Sequence, residues 1–479
     1  MGRPPQLERP PASGPPTPAS VAAPASAAGP APNGPATPLG WRATARVVLP
    51  AFVLTRLVTL IAGVVGAALW GIHDGATTYD PAGLTTGLGG VVDRLVGPFA
   101  RWDAVWFLDI ANNGYPTDYA PRTAFFPLYP VLLNVGGLVL GSPLIAGLLI
   151  SSVCAFLGAM LVHRLTELEL GRPAAGVAVW ALLLFPGSLW LSAVYSEGLF
   201  LLLSAACLYY ARERRWAVVA ACGALAATTR SAGVVLVVPI LVMAWQGRTP
   251  RGRSGVEGPA GGSGVAGTVD RVLVGGRAAA DRAGARLADA ADDLRPALLS
   301  AGAVVGGLLL FLVGLRLAGH SWTVSFDQQQ EWGRRNVGPF EGIVQSVRAA
   351  EAGLSDLVHP VSTPSGEATA LAWMNPLLLV FLVGAVVALV GAARRLPPAY
   401  AAYAGCALLL PLSSPATEGA GPLMSLPRFL GVLFPLAMWA GWWLTRGRLQ
   451  RTRRIVLAVV GLGMLALFSE LTTRWLFVA

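Results

Sequence analysis

Two carboxylates set among tryptophans open the chemical reading. The run Arg101-Trp102-Asp103-Ala104-Val105-Trp106-Phe107-Leu108-Asp109-Ile110-Ala111-Asn112-Asn113-Gly114-Tyr115 is followed, after ten residues, by Phe125-Phe126-Pro127-Leu128-Tyr129-Pro130. A carboxylate with apolar neighbours is a better base, and an adjacent arginine keeps it ionised. Asp103 and Asp109 lie six apart, so on one helix they face well away from each other, and only one points easily at a shared centre. The competing reading is an interfacial helix anchored by Trp and Tyr, with its carboxylates in water.

Arginines supply the complementary charge. Arg230 sits inside an apolar segment, where an unpaired charge costs at least ~2.5–3.5 kcal/mol. It therefore marks either a site or a buried pair with Glu197. Arg428 opens another apolar stretch and either binds an anion or snorkels to the interface. A guanidinium grips phosphate oxygens bidentately, and both arginines suit an anionic leaving group. Tyr195, Ser196 and Glu197 fall at a turn between two short apolar runs. Gln329, Gln330 and Trp332 offer amides and a stacking face.

The elements that must hold these residues are membrane helices. Of the 479 residues, 54% are hydrophobic and only 13% charged, too little charge to cover a soluble surface of this size. The net charge of +10 is entirely arginine, since the chain has no lysine. These arginines sit in short loops between apolar runs, which reads as topology and not as nucleic-acid binding. Cys154, Cys207, Cys222 and Cys406 lie within apolar stretches, without metal-ligand spacing or a disulfide framework. His73, His163, His320 and His359 are scattered. No cofactor motif is present and no metal site is assigned. The residue types allow a single divalent cation held by Asp103 and Asp109 with a phosphate, but the expectation is against it.

The fold class expected is an all-α polytopic membrane protein of about 10–12 transmembrane helices, with a loop helix on the outer face after the first span. Residues 1–42, rich in Pro and Ala, are expected to be a disordered cytoplasmic tail. An N-terminal transmembrane catalytic half covers 43–247 and includes an extracytoplasmic loop at 72–124. A Gly/Ala/Arg-rich cytoplasmic linker follows at 248–296, with an amphipathic helix near 278–294. The C-terminal transmembrane half covers 297–479, with an outer loop at 318–375. Spans are expected near 44–71, 143–163, 175–195, 197–211, 297–317, 376–393, 398–412, 428–445 and 455–475. The segment 216–247 reads as a broken helix or short hairpin, with Arg230 near the break. Residues 125–141 read as a re-entrant or interfacial helix opened by Pro127 and Pro130. Arginine clusters at 212–215, 248–253, 394–395 and 446–454 place those loops, and the N-terminus, in the cytoplasm of a cell-membrane protein.

The string RWDAVWFLDIANNGY followed by AFFPLYP resembles the signature of the PIG-V family of mannosyltransferases. Four later stretches match in the same order: Phe185-Pro186-Gly187-Ser188 through Tyr195-Ser196-Glu197, Thr229-Arg230-Ser231-Ala232-Gly233, Gln329-Gln330-Glu331-Trp332-Gly333-Arg334 (the weakest), and Ser425-Leu426-Pro427-Arg428-Phe429. The resemblance runs from about 44 to 475. It implies a bacterial glycosyltransferase of GT-C type that draws mannose from a polyprenyl-phosphate-linked donor, with inversion, onto a glycolipid, glycan or protein acceptor outside the membrane. It implies Asp103 as general base and Arg230 and Arg428 on the donor phosphate. Trp102, Asp109, Tyr115, Tyr195, Ser196, Glu197, Gln329 and Trp332 would then line the substrates. The rival class is a polytopic transporter or lipid flippase, since broken helices and an intramembrane arginine also occur there. Against it, no internal repeat is evident and the polar motifs gather on one face.

Overall fold

The structure, a computed structural model, describes residues 1–2, 38–73, 75–246, 294–358, 373–416, 421–476 and 478. Most of the expected tail and linker, and nearly all of the helix expected near 278–294, lie outside the described residues. The described residues from 38 onward form one compact unit. Among the described residues the secondary structure is helical throughout, apart from one isolated bridge between Arg334 and Ala416.

Five described helices are long and apolar enough to cross a membrane: Trp41–Trp70, Pro143–Leu170, Leu294–Leu317, Met374–Arg395 and Gln450–Thr473. Five shorter apolar helices accompany them, Leu128–Leu140, Arg172–Leu184, Trp216–Ala227, Ser231–Gln246 and Pro398–Ser413. The chain is a multi-pass membrane protein. The first span shows how the solvent reverses the usual pattern. Its buried stripe is Thr44, Val48, Ala51, Thr55, Thr59, Gly63 and Gly66, while Leu49, Val53, Leu57 and Ile61 point outward. Small residues let backbones approach closely where lipid, not water, surrounds the bundle. This stripe packs on the last helix, Gln450–Thr473.

Several expected spans are interrupted, each for a local reason. The apolar run 175–195 is helical only to Leu184, because Phe185 precedes Pro186 and is extended, and a 3-10 turn Pro186–Leu191 follows. The run 428–445 divides into Leu426–Leu430 and Phe434–Trp443. The segment 216–247 is broken at the expected place. Thr228 and Thr229 turn their hydroxyls back onto the Leu225 carbonyl, and Arg230 is extended. Leu128–Leu140 rises only about 20 Å at 1.5 Å per residue, short of a ~30 Å hydrocarbon core. Left-handed Gly141 and the capping hydroxyl of Ser142 turn it directly onto Pro143–Leu170.

These breaks put irregular backbone at the centre of the bundle. A Cβ added to Gly187 would sit 1.9 Å from the Pro427 carbonyl oxygen, so the 3-10 turn and the Leu426–Leu430 helix touch backbone to backbone. That contact fixes where Arg428 starts. Replacing Gly187 by valine forces two backbones apart and is expected to cost about 1–3 kcal/mol or more. Apparent melting in detergent, followed by tryptophan fluorescence, should fall by several degrees. An unchanged midpoint would show that the two segments do not meet.

Candidate active site

Asp103 is the first residue of the helix Asp103–Asn113, where a carboxylate is favoured by the helix dipole. The preceding Trp102 has φ +57°, a conformation that costs a bulky residue about 1–3 kcal/mol. Ser425, which starts the short helix bearing Arg428, is also left-handed, at φ +68°. Backbone strain thus flanks both halves of the site.

A hydroxyl holds the first half in place. The buried Tyr195 side chain donates to the Arg101 carbonyl (2.9 Å) and accepts from the Asp103 backbone N–H (3.0 Å). The turn carrying Tyr195 is itself pinned, because the Ser151 hydroxyl donates to the Tyr195 carbonyl (3.0 Å) and meets the Tyr129 hydroxyl at 2.7 Å. Arg101 does not face the cavity. Its guanidinium donates to the Thr473 carbonyl (3.1 Å) and lies over Trp475, so it ties the loop to the end of the last helix. Burial pulls its pKa down to about 10, against the opposing pull of Asp80 and Asp93, and it remains charged at neutral pH.

Asp103 Oδ2 pairs with Nη1 of Arg428, across 325 residues of sequence. Nε of Arg428 lies 3.1 Å from Glu197 Oε1, the same oxygen that pairs with Arg230 Nη1. The expected pair of Arg230 with Glu197 therefore exists, and it stands in the site, not apart from it. Arg428 does not snorkel. The other oxygen of Glu197, Oε2, is buried and has no partner. A buried carboxylate oxygen in that state is an open acceptor for a ligand donor.

These groups border a cavity of about 1280 Å³. Its lining includes Trp102, Asp103, Asp109, Tyr195, Ser196, Glu197, Arg230, Gln329, Trp332 and Arg428. Of the eleven residues expected at the site, Tyr115 alone is elsewhere, and the adjacent Arg101 also points away. The Tyr115 hydroxyl donates to the Phe125 carbonyl (2.9 Å), its ring packs on Phe311, and burial raises its pKa. Asp109 borders the cavity but does not join the arginine cluster. Arg122 and Asn113 bind it, the latter at 2.7 Å, as expected from its offset on the helix. Beside it stands an aromatic wall in which Trp106 stacks on Tyr119 and Phe125 and meets Trp332 edge-on. Among the described residues no three His, Cys, Asp or Glu side chains gather as a metal-holding group.

Sequence reasoning gave no role to Arg122, Trp106, Phe429 or Arg334. Phe429 is ringed by guanidiniums, with Arg230, Arg428 and Arg334 at 5.4, 5.4 and 5.5 Å from its ring centre. The clue to Phe429 was adjacency to Arg428. Arg334 stood at the end of the weakest motif.

The multi-pass bundle thus holds one cavity bordered by two carboxylates, Asp103 and Glu197, that are paired with Arg230 and Arg428. Residues 46–247 match the model of the mannosyltransferase (PIG-V) family. GPI alpha-1,6-mannosyltransferase 2 of Rattus norvegicus is 37% identical over 161 residues, covering 31% of this chain and 32% of that protein. The Homo sapiens protein of the same name is 35% identical over 174 residues, covering 33% and 34%. GPI mannosyltransferase 2 of Cryptococcus neoformans is 26% identical over 159 residues, covering 31% and 37%. The chain thus spans about a third of the length of the curated relatives it matches. A solved archaeal oligosaccharyltransferase, AglB from Archaeoglobus fulgidus, overlaps 90% of this chain and 56% of its own, at 12% identity and a TM-score of 0.43, too low to carry an argument.

Tyr195→Phe tests the geometry. It strips the hydroxyl that bridges the Arg101 carbonyl and the Asp103 amide; the carbonyl keeps the Ala104 N–H (3.2 Å), and the unpaired Asp103 N–H should cost about 1–3 kcal/mol. A melting temperature equal to that of the wild type would mean the bridge is not formed.

Proposed function

We propose that this protein is a glycosyltransferase that moves mannose from a polyprenyl-phosphate donor to an extracytoplasmic acceptor, with Asp103 as general base and inversion at the anomeric carbon. The observation that carries the reading is the pairing of Asp103 with Arg428 beside Arg230 and Glu197 in one large cavity. The names of the relatives support the sugar, and the family match supports the class.

An inverting displacement needs three things. A base must take the acceptor's proton, which contributes ~10²–10⁴ in rate. Asp103 does this: the acceptor oxygen attacks the anomeric carbon, its proton passes to the carboxylate, and the anomeric C–O bond breaks with its electron pair going to the phosphate. Cations must meet the charge that appears on that phosphate, and Arg428 and Arg230 stand where they can. The sugar must be oriented, and the open Oε2 of Glu197 accepts from a sugar hydroxyl, with Ser196 alongside. Without substrate, base and phosphate cation neutralise one another. A donor phosphate competes for Arg428 and so releases Asp103 only when there is work for it. The cavity faces the outer side of the membrane on this reading, and the acceptor is a glycolipid, a glycan or a protein.

Asp103→Asn keeps shape and loses the base. Purified variant should bind the polyprenyl-phosphate mannose donor within a few-fold of wild type, while release of polyprenyl phosphate falls by about 10²–10⁴. Turnover within tenfold of wild type removes Asp103 from the role. If the wild type releases no polyprenyl phosphate from any of several donor sugars, the transferase reading fails, and the transporter class gains.

A further inference from the structure

We infer that Arg334 is a third guanidinium of the donor site, matched to the phosphate monoester dianion that leaves and not to the phosphodiester that arrives. This rests on the transferase reading above. Arg334 is buried, and its hydrogen-bond partners are neutral: Nη1 donates to the Ser414 carbonyl (3.2 Å) and Nη2 to the Met424 carbonyl (3.0 Å). Its guanidinium lies 5.5 Å from the Phe429 ring centre, as those of Arg230 and Arg428 do at 5.4 Å, and it borders the cavity with them. Burial first, and then the like charge of Arg428, draw its pKa down to about 10, with Asp103 opposing. A buried cation held by carbonyls alone beside two other cations lacks a counter-charge, and such a site recruits an anion.

The charges around Phe429 define which anion. Arg230, Arg334 and Arg428 contribute three positive charges, and Asp103 and Glu197 two negative ones. A sugar phosphodiester brings one negative charge and closes the balance. As the anomeric C–O bond breaks, the phosphate gains a second negative charge, while Asp103 takes the acceptor's proton and becomes neutral. The cluster stays neutral overall, but one negative charge has moved from the carboxylate to the phosphate. Two arginines are committed to carboxylates at the start, and among the described residues Arg334 has no acidic side chain paired with it. Its attraction grows as the bond breaks, which makes it an interaction stronger in the transition state than in the ground state.

The Arg334 loop has a structural task too. Besides the two carbonyl contacts, the Arg335 amide donates to Pro415 (3.2 Å) and the Val337 amide to Ser413 (3.0 Å), joining loop 328–338 to the segment after Pro398–Ser413. A test must separate these roles. The probes are a long-chain polyprenyl monophosphate and its methyl phosphodiester, titrated against wild type, Arg334→Gln and Arg334→Lys in nanodiscs at a pH above the second phosphate ionisation. Wild type should prefer the monoester. Arg334→Gln should weaken monoester binding by about 10- to 100-fold, the scale of one hydrogen bond to a charged group, and diester binding by only a few-fold. Arg334→Lys, which keeps the charge, should recover part of the preference. In turnover, Arg334→Gln should lower kcat with KM for the donor little changed. Equal loss of both ligands, with lysine no better than glutamine, would assign Arg334 to loop structure and overturn the inference while the donor site stands. Failure of wild type to bind either probe would overturn the donor reading as well.

Discussion

An apolar bundle holds four charges together only if each finds a partner, and the pair between Asp103 and Arg428 is the one that closes the arrangement. Desolvated ions gain little stability from each other, yet removing one partner leaves an uncompensated charge that is costly. The pair also has to join parts of the chain 325 residues apart. Asp103 is carried by a loop helix and Arg428 by a broken helix near the end of the chain. The small-residue stripe of the first span, the backbone contact at Gly187 and the Tyr195 bridge all serve to bring these two points together.

Such an interaction contributes more to function than to stability on the proposed reading. Base and cation are stored as a mutual pair, and the anion that needs the cation frees the base. The positive-φ residues Trp102 and Ser425 are consistent with a site whose geometry the surrounding structure enforces. Glu197 grips two arginines through one oxygen and leaves the other bare, a division of labour within one carboxylate.

Much of this was legible in the residues. The long apolar runs give the spans, and the threonines before Arg230 mark the break that the structure contains. Ten of the eleven residues expected at the site border one cavity. Tyr115 does not, because its ring faces a small cluster around Phe126 and Phe311 that no local pattern announces. The breaks near Pro186 and at Gly431 were read through as continuous spans, since a hydropathy run does not register a 3-10 turn that neighbouring backbone supports. Arg122 lay outside every motif and Arg334 only closed the weakest one, so neither was given a role, for a different reason. Their meaning lies in which charges surround them, and that is a property of the tertiary arrangement alone.

The central claim is that a phosphate takes Arg428 away from Asp103. A cryo-EM structure of the protein bound to a polyprenyl monophosphate reads this directly. The account expects phosphate oxygens within hydrogen-bond distance of Arg428 and Arg230, and an Asp103 carboxylate that has turned toward the open cavity. A phosphate lodged away from both arginines, with Asp103 and Arg428 still paired, would contradict it.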